Sequence, residues 1–227
     1  MNCSYFHDKR VIDFVLTTIG PEGDVHGYEA SSTPLPAYGP EPEVVIHGGP
    51  KHQDKEPYDC EECGRKVADI LNTLHVGRQG RASRNNPHPP RYRDVLLLTW
   101  DSHFHDKTTG KKARPASGLI RGLRQANFPV TVLETGDADA AAAVATMSGP
   151  DEIVAAGSRF VQGLERVIVV YVETTQPVYY DLDWARLCTM SQCTSQLIHV
   201  KPPDRRRRSQ QQPAAVDPKT SGDVEED

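Results

Sequence analysis

The chain contains no run of eighteen apolar residues, so the sequence offers no membrane-spanning helix. Its opening, MNCSYFHDKR, lacks the apolar stretch of a secretory leader. Five cysteines are odd in number and irregular in spacing, which argues against a disulfide framework and for a reducing, cytoplasmic or nuclear setting. Nowhere does GxxxxGK[ST] occur, the loop whose backbone N–H groups and lysine cradle β- and γ-phosphates. Nor does an apolar strand end in an Asp-Glu pair to hold magnesium and polarise water. Autonomous hydrolysis of a nucleoside triphosphate therefore has no groups to run on.

Apolar residues are also scarce. They make up 37% of the 227 residues and mean hydropathy is −0.56, so a substantial share of the chain must be loop or tail. Formal net charge is −5. From Lys201 onward six basic residues balance six acidic ones, which leaves the whole surplus on residues 1–200. A body of that sign has no global attraction for nucleic acid, and any such binding needs a local basic groove.

What is present falls into three stretches. Residues 1–93 read as an irregular α+β segment. HDKRVIDFVLTTI has Val11, Ile12, Val15 and Leu16 near one helical face, and a Gly- and Pro-rich loop fills 20–42. EVVIH (43–47) is a short strand candidate. CEECGRKVADILNTLHV then places Cys63, Val67, Ile70, Leu71 and Leu74 at helical spacing, and a basic, Pro-rich linker occupies 77–93. Residues 94–200 change character. DVLLLTW is a continuous apolar run, short enough for a buried parallel strand. A helix led by Pro115 carries Leu119, Ile120 and Leu123 and stops at an Asn. PVTVLE, an Ala-rich helix capped by Asp137, EIVAA, VIVVYVE, the helix DLDWARLCTMSQC and the strand QLIHV complete the series. Strand and helix alternating at such short intervals predict an α/β fold with a largely parallel sheet. From Pro202 the text dissolves into a polar tail spanning 201–227.

Several residues invite chemistry. Cys60-x-x-Cys63 looks like half of a zinc knuckle, and His47, His52 and His75 are the nearest residues that could complete four ligands. No second CxxC follows, so the pair is read as a tight turn into a helix with Cys63 a small core residue; zinc is not expected. His103 and His105 are read as parts of a solvated loop, and Cys188 and Cys193 as packing. Arg205 to Arg208 are read as part of a solvated tail rather than a nucleic-acid or import signal. Asn2-Cys3-Ser4 matches a glycosylation acceptor by chance.

Two further segments form a pair. Ser158-Arg159-Phe160-Val161-Gln162-Gly163-Leu164-Glu165 precedes the strand VIVVYVE, and Ser191-Gln192-Cys193-Thr194-Ser195-Gln196-Leu197 ends a helix before the last strand. Their order and spacing resemble S-x-x-K-G-L-E and S-R-A-x-x-x-L, two motifs of the second RecA-like lobe of superfamily-1 helicases. Schlafen-like and other UvrD-related proteins are the nearest relatives in this respect. The likeness covers about residues 94–200 and implies a RecA-like lobe of the P-loop NTPase type.

The resemblance implies that Gly163 and Glu165 approach a bound nucleotide, with Glu165 at the ribose, and that Ser158 meets a nucleic-acid phosphate. It also shows two departures. Gln162 stands where the family has lysine. Gln192 faces the nucleotide where the family has its arginine finger, a group that contributes around 10³–10⁵ in rate where measured and whose charge glutamine cannot supply. Cys193 takes the alanine position, and Arg186 is the nearest upstream cation on that helix. The implied cofactor is ATP with magnesium, only if a complete first motor lobe is supplied; the implied partners are that N-terminal lobe and RNA or DNA, with no membrane. Three readings stay open: a helicase-type lobe inactive alone, a non-catalytic scaffold or regulatory module derived from one, and an unrelated doubly wound domain with a small-molecule site at its strand ends.

Overall fold

A computed structural model of the protein describes residues 40–49, 52, 55–78, 89–101, 103–104, 115–133, 142, 149–161, 164–175 and 182–203. The expected helix at 7–19, most of the Ala-rich segment after Asp137, Gln162, Gly163, His105 and the arginine run of the tail lie outside them.

Six parallel strands form one sheet: β1 (Glu43–Ile46), β2 (Val95–Thr99), β3 (Val130–Val132), β4 (Ile153–Gly157), β5 (Arg166–Val172) and β6 (Cys193–Lys201). Their spatial order is β1-β6-β5-β2-β4-β3. Three α-helices are described, α1 (Glu61–Thr73), α2 (Gly118–Gln125) and α3 (Leu182–Met190). The α/β class with a parallel sheet is thus as the sequence predicts.

The apolar runs of the sequence follow from this layering. All five residues of β2 are buried, because both faces of the sheet are covered. Val95 and Leu97 point with Ile168, Val170 and Ile198 into the core under α1 and α2. Leu96 and Leu98 point with Val169, Tyr171 and Leu197 into a second core containing Leu187 and Met190 of α3. Alternation exists in three dimensions, but each face is apolar, so none shows in the text.

α1 buries Cys63, Val67, Ala68 and Leu71 at helical spacing. Cys60 is its N-cap and accepts from the Cys63 N–H, while Glu61 and Glu62 complement the positive end of the helix dipole. α2 starts later than Pro115 suggests: Ser117 is the N-cap and its hydroxyl accepts from the Ile120 N–H. Asn127, at φ 65, ends that helix in the left-handed region, the role expected of the Asn stop.

α1 and α2 lie unusually close. A Cβ on Gly64 would sit 2.3 Å from the Leu119 carbonyl oxygen, and one on Gly122 2.3 Å from that of Glu61. Only hydrogen fits at these two positions.

One strand boundary differs from the expectation. β6 begins at Cys193, three residues before the predicted QLIHV, because Cys193 already pairs with Arg166 of β5. β1 joins the same sheet as the later strands. It pairs with β6 from Glu43↔Ile198 to Ile46↔Lys201, so the sheet extends across the boundary drawn at residue 94. No helix among the described residues is long and apolar enough to cross a membrane.

Candidate functional site

Parallel pairing sets the amino ends of β5 and β6 side by side. Glu165 directly precedes the first and Gln192 the second, and the Arg166 N–H donates to the Gln192 carbonyl at 3.0 Å. The Arg166 guanidinium donates Nη1 to the Glu165 carbonyl at 2.8 Å. The structure therefore brings the end of one motif segment against the start of the other. Ser158 stands apart from that edge. It follows the carboxyl end of β4, is buried, and its hydroxyl accepts from Thr189 of α3 at 2.9 Å.

Gln192 does not open toward a ligand. It is 4% exposed, and its side-chain amide donates to the Cys188 carbonyl at 3.2 Å, one helical turn back. This is helix-end chemistry. Beside the same edge lies a cleft of about 730 Å³ lined by Arg78, Arg91, Arg93, Asp94, Asp151 and Val167 among others. Its charges are partly spent internally: Arg93 pairs with Asp151 at 3.4 Å, and the Asp94 carboxylate accepts from the Arg91 N–H at 2.7 Å.

Arg186, the nearest cation upstream on the helix, is committed elsewhere. Its guanidinium forks onto Glu173, with Nε to Oε2 at 3.0 Å and Nη2 to Oε1 at 2.9 Å, and Nη1 reaches Asp183 at 3.2 Å. Glu173 directly follows β5, the strand end opposite to Gln192. His199 Nε2 lies 3.0 Å from the same carboxylate, and its ring stacks on Tyr171 at 5.2 Å between centroids. Burial alone would raise the Glu173 carboxyl, but the hydrogen bonds from His199 and Arg186 outweigh it and hold the group below the usual range. Burial holds the His199 imidazole below its ordinary value in spite of Glu173.

A different cluster gathers where β1, the following loop and α1 meet. His47 follows β1, His52 sits in the loop, Cys60 caps α1 and Cys63 is in its first turn; all four are buried. One ligand atom from each lies within 4.8 Å of every other. His47 Nδ1 is 3.3 Å from Cys63 Sγ, and His52 Nδ1 is 3.3 Å from His47 Nδ1, 3.2 Å from Cys60 Sγ and 3.9 Å from Cys63 Sγ. Burial, with Cys60 beside it, pushes the Cys63 thiol far up. Of the three histidines the spacing suggested, His47 and His52 converge, whereas His75 is exposed at the far end of α1. His103 is not simply solvated: its ring stacks on Tyr58 at 4.8 Å.

Compared with protein-family models and with curated proteins, the chain matches none. Among solved structures it is similar to the C-terminal domain of a possible DNA helicase from Lactobacillus plantarum, at 15% identity over 88% of each chain and a TM-score of 0.45. A likeness of that strength does not fix the family.

Proposed function

We propose that the chain is a non-catalytic interaction module built on a lobe of the superfamily-1 helicase type. The observation that carries this reading is the state of Gln192. The position where the resembling family presents a cation to the γ-phosphate holds a buried, neutral amide turned back onto its own helix. Replacing it by another side chain would not be enough, since the guanidinium nearest along the helix is locked onto Glu173. Glu165 and Gln192 meet at the amino ends of β5 and β6 through the Arg166–Gln192 bond, whereas Ser158 lies at the carboxyl end of β4, so only part of the first segment joins the second.

ATP turnover by the full chain, measured with and without single-stranded RNA or DNA, tests the reading. Turnover should stay at background in every condition, and Gln192→Arg should not raise it. Saturable hydrolysis by the wild-type chain that Glu165→Ala abolishes would overturn the proposal.

A further inference from the structure

We infer that His47, His52, Cys60 and Cys63 form a closed tetrahedral zinc site that fastens β1 and its following loop to the start of α1. This does not depend on the reading of Gln192, and the two can fail separately.

The distances come first. Zinc takes nitrogen at about 2.0–2.1 Å and sulfur at about 2.3 Å, so a tetrahedron of two of each has edges of about 3.3 Å between nitrogens and about 3.6 Å between nitrogen and sulfur. The nitrogen–nitrogen edge here is 3.3 Å, and three nitrogen–sulfur edges are 3.2, 3.3 and 3.9 Å. The longest separation in the set is 4.8 Å, about 1 Å beyond such an edge, so four buried donor atoms gather within a small inward movement of the zinc geometry.

Protonation comes second. His47 Nε2 lies 2.8 Å from the Lys55 carbonyl, which can only accept, so Nε2 carries the proton. In the neutral ring Nδ1 then presents its lone pair to the cluster. This is the outer-shell bond that orients a metal-binding histidine. His52 Nδ1 faces that lone pair at 3.3 Å, so both ring nitrogens are turned toward the two sulfurs. A divalent cation held there compensates two thiolates.

Cys60 Sγ accepts the Cys63 N–H at 3.4 Å, and both sulfurs stand at the amino end of a thirteen-residue helix. Two sulfurs and two imidazoles suit zinc better than the oxygen-seeking magnesium or calcium. With four protein donors and no exposed ligand, the site has no open position for substrate, so its role is structural.

The metal content of the full chain, purified and held under reducing conditions, decides the matter. About one zinc per chain is expected, replaceable by cobalt with the intense visible absorption of a tetrahedral thiolate site. Cys60→Ser and His52→Gln should lose the metal, while Cys188→Ser keeps it. Stripping the wild-type chain with a chelator should lower Tm by about 10 °C or more. Because a ligand-deleted variant can fail to fold, His52→Cys supplies an independent reading. It should retain the metal, and its cobalt spectrum should gain thiolate charge-transfer intensity. Less than about a tenth of an equivalent of zinc or cobalt in the wild-type chain would overturn the inference. So would a cobalt spectrum unchanged by His52→Cys, or full metal content in both deletions.

Discussion

Glu173 is a carboxylate 4% exposed, with a guanidinium forked across both oxygens and an imidazole on one of them. Burying such a group is costly, and breaking its pairing costs more than the pairing contributes, because the remaining charge is stranded. Glu173→Ala should therefore destabilise the fold by about 3–5 kcal/mol in urea unfolding. Glu173→Gln should cost less, since it keeps the shape and one acceptor. The same triad makes stability depend on pH. The His199 imidazole is held below its ordinary value, so between that lowered value and about 6.5 the unfolded chain binds the proton that the folded chain refuses. Stability must then fall as pH drops below about 6.5. Glu173, held low, extends the loss at more acid pH, where the unfolded carboxylate protonates first. The groups facing His199 are Glu173, Arg186 and Lys201, with the Tyr171 ring stacked upon it. Thermal unfolding from pH 7 to pH 5 should show a steeper decline for wild type than for His199→Gln. Parallel slopes would remove His199 from the account.

At the scale of elements, α1 and α2 meet backbone to backbone. The backbone of each helix occupies the space a Cβ of the other would need at Gly64 and Gly122. Neither Gly64→Ala nor Gly122→Ala can be accommodated by a side-chain rotation, since the obstructing atoms are carbonyl oxygens. Each should destabilise by about 2–3 kcal/mol or more, in spite of the better helix propensity of alanine, and calorimetry of the two variants would show it. The elements themselves were largely legible. β2 and β5 announced themselves as short, continuous apolar runs, and α1 and α2 by spacing, because burial imposes those patterns directly. The start of β6 was not legible, since Thr194, Ser195 and Gln196 are polar and only the partner strand makes them extended. Nor did the text show that Gln192 turns inward; its sequence neighbours are those of a helix end either way. The convergence of His47 and His52 on the Cys pair was hidden for another reason. It depends on how a loop closes, and closure leaves no periodicity.

For the molecule as a whole, the partition at residue 94 has a physical cost. Without the preceding residues, β6 loses the strand at its edge, and Leu119, Ile120 and Leu123 of α2 lose Cys63, Val67 and Leu71 of α1 from their shared core. A fragment limited to residues 94–203 should therefore expose apolar surface and bind a hydrophobic dye. The full chain should unfold in one transition by both near- and far-ultraviolet dichroism. A well-folded 94–203 fragment would show that β1 and α1 are dispensable for the fold.

The pairing of β1 with β6 has a further consequence for how the protein is made. Glu43 lies beside Ile198, with about 155 residues between them, so the first strand of the sheet has no partner until nearly all of the described chain has left the ribosome. At about 5–20 residues per second that is a wait of about 8–30 s, during which α1 and the His/Cys loop can form locally but the sheet cannot close. Local closure around His47, His52, Cys60 and Cys63 would keep β1 in place for the strand that arrives last.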